Sequence, residues 1–333
     1  MSAEESKEEL SSSPPSTTTS SCNHHHVREN SALMCPSILE GFTSPKQIPG
    51  KVELSLDPAQ LTHFQNQVSG HAILYPLPGG KVIKRSNRHE ISIYEQIQRH
   101  RSLIPYTAGY FGYTELDLDV PTTTRQLETA ESYRRENVYV ILEDLTYGYH
   151  HPNIMDVKIG TRTVELTAVP EKFAYQTQKD HETTTFSHGA RIDGLKVFHP
   201  CDGSTVRISH RDCWSRKLED MFLVFLGTGE DKKIRGDIIP LFLEQLASLH
   251  SALVLHFNTM SFLQSSILLI YEADTTLPPR ASVRLIDFDH SHIFAFDDPF
   301  SQPHQDHADC GCSFGVANLV HVLETIFSDM KSS

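Results

Sequence analysis

Cations are in short supply: 29 lysines and arginines stand against 42 aspartates and glutamates, a formal net charge of −13. That shortage argues against direct nucleic-acid binding, which needs a broad cationic footprint along the phosphate backbone. It leaves room for a small anion held by a local cluster of Lys and Arg in a cleft. Cysteine is sparse as well. Cys22, Cys35, Cys201, Cys213, Cys310 and Cys312 are scattered over 333 positions, so no disulfide framework is expected and a reducing compartment fits. Cys310 and Cys312 form a C-x-C pair with His304 and His307 nearby. With no C-x-x-C unit to complete a zinc site, the pair reads as free thiols in a loop. No apolar run approaches the length of a membrane span, and the N-terminus has no hydrophobic signal core. The expected location is the nucleus, the cytoplasm or both.

What is present fits a globular protein carrying some disorder: 38% hydrophobic and 21% charged residues. The length allows one two-lobed enzyme or two modest domains. Residues 1–40, rich in Ser, Thr, Glu and Pro, are expected to form a disordered tail able to dock protein partners. The His24–His26 run within it reads as low-complexity sequence. Alternation and β-branched content predict strands near His71–Tyr75 and Lys81–Lys84, joined by a turn at Pro78–Gly80. A helix is predicted from Arg88, with Ile91, Tyr94, Ile97 and Gln98 at helical spacing. A strand at Tyr106–Tyr113, a polar loop at Glu115–Glu136 and an apolar strand at Val138–Leu142 follow. This order is the plan of a kinase N-lobe, assigned to residues 41–146, with a C-lobe at 147–333. In the C-lobe, helices are predicted at Cys213–Leu226, Ile239–Leu255 and Asn318–Phe327, and strands at Ser266–Tyr271 and Ser282–Phe288.

Chemistry concentrates at His151–Gly160. Asp156 and Lys158 are two apart, so on an extended segment they point the same way. A carboxylate can hold ribose hydroxyls while an ammonium two residues on neutralises a phosphate. Gly160 would let the backbone approach a ligand closely.

The pattern P-x-x-x-D-x-K-x-G, met at Pro152, Asp156, Lys158 and Gly160, resembles the signature of the inositol polyphosphate kinase family. The resemblance extends in order over about residues 70–328. It implies an α+β, two-lobed, reduced protein-kinase-like fold (inositol polyphosphate kinase / SAICAR synthase-like), with an antiparallel sheet in the N-lobe. It also implies ATP and Mg²⁺ as cofactors. Val82-Ile83-Lys84 is similar to the strand whose lysine contacts the ATP phosphates, and Glu90 to the helix carboxylate that pairs with it, with Glu95 the competing candidate. Leu142–Thr146 is similar to the hinge, where the main chain near Glu143 and Leu145 would meet the adenine edge. Ser265–Glu272 resembles the family's Ser-Leu-Leu strand, and Phe314–Leu319 its closing segment. Leu285–His290 resembles the metal motif: Asp287 would bind Mg²⁺ bridging the phosphates, and His290 would touch substrate. Asp289 departs from the usual small residue. In catalysis, Asp156 would grip ribose and Lys158 would stabilise charge on the transferred group.

Glu171–Lys179 resembles the inositol-binding helix. Lys172, Gln176 and Lys179 share one helix face suited to a polyphosphate with free hydroxyls, and Arg162 and Lys196 are weaker candidates. Asp193 is an odd neighbour for a polyanion unless it faces away. The Tyr147–Tyr149 lead-in and Pro152-Asn153-Ile154 look most like multikinases of the fungal type, which implies an inositol polyphosphate substrate, trisphosphate carried to tetrakis- and pentakisphosphate. The Thr183–Thr185 run resembles hexakisphosphate kinases, which make pyrophosphates. A third reading is a scaffold with weak kinase activity.

Overall fold

A computed structural model of the protein describes residues 48–56, 61–70, 72–99, 102–116, 118, 137–227, 233–256, 259–294 and 310–332. All belong to the unit Gln47–Ser333. The expected tail with Cys22, Cys35 and His24–His26, most of the 115–136 loop, and His71, His304 and His307 lie outside the described residues.

The first sheet contains β1 (Leu74–Leu77), β2 (Lys81–Ser86), β3 (Tyr110–Glu115) and β4 (Val138–Glu143), in the antiparallel order β1-β2-β4-β3. Pro76 is tolerated because β1 is an edge strand, which can spare a ladder donor. The unbroken apolar run of β4 is explained by burial on both faces. Val138, Val140 and Leu142 enter the main core, while Tyr139 and Ile141 join Tyr75 and Ile83 in a second cluster. The strand expected from Tyr106 begins only at Tyr110, because Ile104–Tyr106 winds into a 3₁₀ turn led by Pro105.

Helix α1 (Arg88–Ile97) starts where Asn87 Oδ1 accepts the Glu90 N–H at 2.7 Å, and it buries Glu90, Ile91, Ile93, Tyr94 and Ile97.

The second sheet is built around β5 (Pro152–Ile159), which carries the signature. After β5 come α2 (Pro170–Glu182), α3 (Thr184–His188), β6 (Ala190–His199), β7 (Ser204–Ser209), α4 (His210–Cys213), α5 (Leu218–Leu226) and α6 (Ile239–Leu255). The chain continues through β8 (Met260–Phe262), β9 (Ser266–Glu272), β10 (Ala281–Ile286), β11 (Ser291–Ile293) and α7 (Cys312–Ser332). The antiparallel order β10-β9-β5-β6-β7 places β5 at the centre, and β8 pairs with β11 separately.

Two helix expectations change. The helix predicted from Cys213 begins only at Leu218, as α5, because α4 ends at Cys213 and Trp214–Lys217 leaves the helical path, with the Trp214 ring packed by Lys179 and Arg191. The closing helix starts six residues earlier than Asn318. Gly315 does not break it; the glycine admits the Gly189 carbonyl, which a Cβ would meet at 1.9 Å.

Candidate active site

Three distant segments meet at Lys84. Its Nζ lies 2.6 Å from Glu90 Oε1 on α1 and 2.7 Å from Asp287 Oδ1 after β10. Glu90 is further held by Ser86 Oγ, which donates to Oε2 at 2.6 Å, and by the Phe288 N–H, which donates to Oε1 at 3.2 Å. Burial opposes the Lys84 charge, but the carboxylates of Asp287 and Glu90 outweigh it and hold the ammonium well above its usual range. Burial likewise disfavours ionised Asp287, yet Lys84 and Lys158 keep its carboxyl below the ordinary value. Asp287 has φ +62°, a left-handed conformation uncommon outside glycine, and Ser265 Oγ donates to its carbonyl at 2.7 Å. Of the two glutamates weighed as the lysine's partner, Glu90 takes the place; Glu95 instead accepts from Tyr110 Oη at 3.4 Å.

Asp156 and Lys158 lie on one face of β5, as their spacing predicts. Lys158 Nζ donates to the Gln264 carbonyl at 2.6 Å, and Gln264 itself has φ +60°. Asp156 is 4% exposed. Its Oδ2 accepts from Ser69 Oγ, while Oδ1 has no partner among the described residues. Burial, with Asp193 next, pushes its carboxyl up to about 6, against the opposing pull of Lys158. Lys158 therefore acts on both Asp156 and Asp287, across the antiparallel β5–β9–β10 strands.

The segment expected as the hinge forms the turn after β4. The Glu143 N–H donates to the Gly109 carbonyl at 2.9 Å, and the Glu143 carboxylate accepts the Gly109 N–H at 3.1 Å. Leu145 follows at the turn, where Asp144 Oδ1 accepts from the Thr146 N–H at 2.8 Å and Oγ1 at 2.7 Å.

On α2, Lys172 is exposed while Gln176 and Lys179 are half-buried. Lys179 is brought near the signature strand, its pKa lowered by burial first and then by Arg191, against the opposing pull of Asp193 and Asp180, with Lys158 a weaker lowering influence. His290 is placed against an acid that the sequence did not single out: its Nδ1 lies 2.8 Å from Glu165 Oε1, and its Nε2 lies 3.9 Å from Asp289 Oδ2. Burial would raise the Glu165 carboxyl, but the His290 contact outweighs it and lowers the pKa.

Several expectations are corrected. Gly160, with φ +110°, admits the Cys310 carbonyl, which a Cβ would meet at 2.9 Å; the close approach there is to the chain. Cys310 and Cys312 remain thiols, as expected, but both are buried with Sγ atoms 3.3 Å apart, and only Cys310 lies in a loop, since Cys312 begins α7. Arg162 Nη1 donates to the Val164 carbonyl at 2.7 Å, and Lys196 Nζ to Asn66 Oδ1 at 2.8 Å. Asp193 does not face away. Arg191 Nε donates to it at 2.8 Å, and although burial opposes ionisation, Arg191, Lys158 and Lys179 keep the carboxyl below its usual value.

Sequence reasoning missed Ser69, Gln264, Glu165 and Trp214. Ser69 and Gln264 carry no pattern of their own. The acid at 165 had a signal only in its position between the signature strand and α2, and the tryptophan only in being the one in the chain.

A family model described as inositol polyphosphate kinase matches residues 139–324. The chain is 26% identical over 223 residues to inositol polyphosphate multikinase beta of Arabidopsis thaliana, covering 61% of this chain and 72% of that protein. It is 26% identical over 226 residues to inositol hexakisphosphate kinase 1 of Rattus norvegicus, covering 56% of this chain and 51% of that one. It thus spans about half the length of this second relative. A solved inositol phosphate multikinase from S. cerevisiae, in complex with ADP and Mn²⁺, shares the fold. Its TM-score is 0.57 at 22% identity, over 74% of this chain and 99% of that one.

Proposed function

The chain belongs to the inositol polyphosphate kinase family, and from that premise we propose that it transfers the terminal phosphoryl group of ATP to hydroxyls of inositol tris- and tetrakisphosphates. The observation that carries this reading is the Lys84–Glu90–Asp287 contact formed beside the strand of Asp156 and Lys158. Phosphoryl transfer asks a protein mainly for positioning and charge neutralisation. Lys84, fixed by two carboxylates, would hold the nucleotide phosphates. Asp156 would accept from the ribose hydroxyls through Oδ1, a buried acceptor without a partner among the described residues. The Glu143 carbonyl and the Leu145 main chain would meet the adenine edge, since the Glu143 N–H is already engaged. Lys158 keeps two N–H donors beyond the one given to Gln264, enough to neutralise charge that develops on the transferred group.

Asp287 fits a magnesium ion. It is a hard oxygen donor kept ionised by Lys84 and Lys158. Among the described residues no group of three or more His, Cys, Asp or Glu could hold a metal alone, which suits an ion that keeps waters and phosphate oxygens in its shell. When bound, Mg²⁺ supplies charge neutralisation to the phosphate chain.

Lys158, Lys172, Gln176, Lys179 and His290 would receive the acceptor. Glu165, Asp193 and Asp289 adjoin these groups. Such carboxylates disfavour the most highly charged acceptors, which supports tris- and tetrakisphosphates over the hexakisphosphate. The decisive experiment incubates purified protein with ATP, Mg²⁺ and a panel of inositol phosphates, and resolves the products by anion-exchange chromatography. Trisphosphate is expected to be carried to tetrakis- and pentakisphosphate, and Lys158→Ala to lower turnover by about 100-fold or more. Equal background signals from wild type and variant would sink the kinase reading in favour of a scaffold. Pyrophosphate products from hexakisphosphate alone would move the assignment to that branch.

A further inference from the structure

Lys179 is a half-buried ammonium whose nearby acids, Asp193 and Asp180, offset its charge only in part, since burial and Arg191 still lower its pKa. The acids nearest to it are turned elsewhere: Asp193 Oδ1 and Asp180 Oδ1 lie 2.8 and 3.7 Å from the Arg191 guanidinium, and Asp180 also accepts from Thr163. Its partner is instead an aromatic face, with Nζ 5.6 Å from the centroid of Trp214. The same ring lies 5.8 Å from the Arg191 guanidinium. Two further polar atoms in this region are buried without a partner among the described residues: Trp214 Nε1, an obligate donor, and Gln176 Oε1, an acceptor three residues before Lys179 on α2. Buried donors and acceptors are nearly always paired, and leaving them otherwise is costly. Helix α2 and the residue that follows α4 thus bring together a half-buried cation, a spare N–H and a spare carbonyl.

This group adjoins the reaction site. Lys158 on β5 is the register partner of Arg191 on β6, and the charges of Lys158 and Lys179 act on each other's neighbour Asp193. We propose that Trp214, Lys179 and Gln176 form a subsite for one phosphate of the acceptor, with the indole N–H donating to a phosphate oxygen and the Gln176 carbonyl accepting from an adjacent ring hydroxyl. The proposal rests on reading the site as an inositol phosphate site, and it adds a residue outside the α2 face. An ammonium and an indole N–H neutralise and orient one phosphate, and the amide carbonyl selects for a free hydroxyl beside it. Trp214 is here a specificity-determining contact, and a fully phosphorylated ring would leave Gln176 facing a phosphate.

Because the chain has a single tryptophan, its emission reports this place alone. The test titrates the full wild-type chain with inositol trisphosphate and, separately, with ADP, and measures steady-state kinetics of Trp214→Phe and Trp214→His. Emission is expected to change saturably with inositol trisphosphate and to stay flat with ADP. Trp214→Phe is expected to raise KM for inositol trisphosphate about tenfold with the loss carried by KM rather than kcat. KM for ATP should hold, and Trp214→His, which keeps a ring N–H, should recover part of the loss. Wild-type transfer accompanied by flat emission and an unshifted KM in Trp214→Phe overturns the inference and leaves the kinase reading standing. So does a joint fall in kcat and melting temperature with KM unmoved, which marks a packing role. Absence of transfer by the wild type overturns the kinase reading and this subsite with it.

Discussion

Replacing Asp156 by asparagine should stabilise the protein while silencing it. Asp156 is 4% exposed, and burial raises its carboxyl from the ordinary 3.8 to about 6. Between those two values the folded state holds the proton more tightly than the unfolded chain does, so stability falls as pH rises through that window and levels off above it. At pH 7.5 both states are ionised, and the folded state carries the full penalty. A gap of about two pKa units at about 1.4 kcal/mol each amounts to roughly 3 kcal/mol. Asparagine removes that charge and can still accept from Ser69, but its amide brings a buried N–H₂ whose desolvation returns about 1–2 kcal/mol. The expected net gain is about 1–2 kcal/mol, a rise in Tm of a few degrees. The assay is urea unfolding of wild type and Asp156→Asn without nucleotide, at pH 7.5 and 5.0, beside phosphoryl transfer at pH 7.5. The stability advantage should fall by about 1.4 kcal/mol at pH 5.0 and nearly vanish, as the wild-type carboxyl takes up its proton, and transfer should be lost. An asparagine variant less stable than wild type at pH 7.5, or an advantage indifferent to pH, would refute the reasoning.

Glu90→Gln removes one of two carboxylates from a lysine whose side chain is 10% exposed; it should cost about 3 kcal/mol in denaturant unfolding and raise KM for ATP. Gly315→Ala drives a Cβ to 1.9 Å from the Gly189 carbonyl; backbone on both sides cannot yield cheaply, so calorimetry should show a loss of about 2 kcal/mol or more. Chelating divalent cations with EDTA should abolish transfer, and adding Mg²⁺ should restore it with no change in far-ultraviolet circular dichroism.

The signature was legible because a two-residue spacing on a strand has one geometric outcome. Asp156 and Lys158 had to share a face once β5 formed. The Lys84–Glu90 pair was legible to within one turn of α1, and the choice against Glu95 fell to the Asn87 cap and to the packing of the Tyr94 face. The helix at 213–226 was misjudged because its apolar periodicity runs across the break. Periodicity registers which face is oily, and it carries nothing about Trp214 turning to a cation from another element. Gly315 lay outside the helix expected from Asn318, whereas its missing Cβ is what lets α7 touch Gly189.

Local order along the chain therefore determined the strands, most helices and which residues carry chemistry, since side-chain direction and capping depend on neighbours a few positions away. Tertiary structure alone decided the company those residues keep: Asp287 against Lys84 across 203 positions, His290 against Glu165 across 125, Ser69 against Asp156 across 87. Charge, burial and pKa depend on distance in space. A carboxylate at position 156 is ordinary in the sequence and becomes one with a pKa of about 6 only when the folded chain strips its water and sets Asp193 beside it.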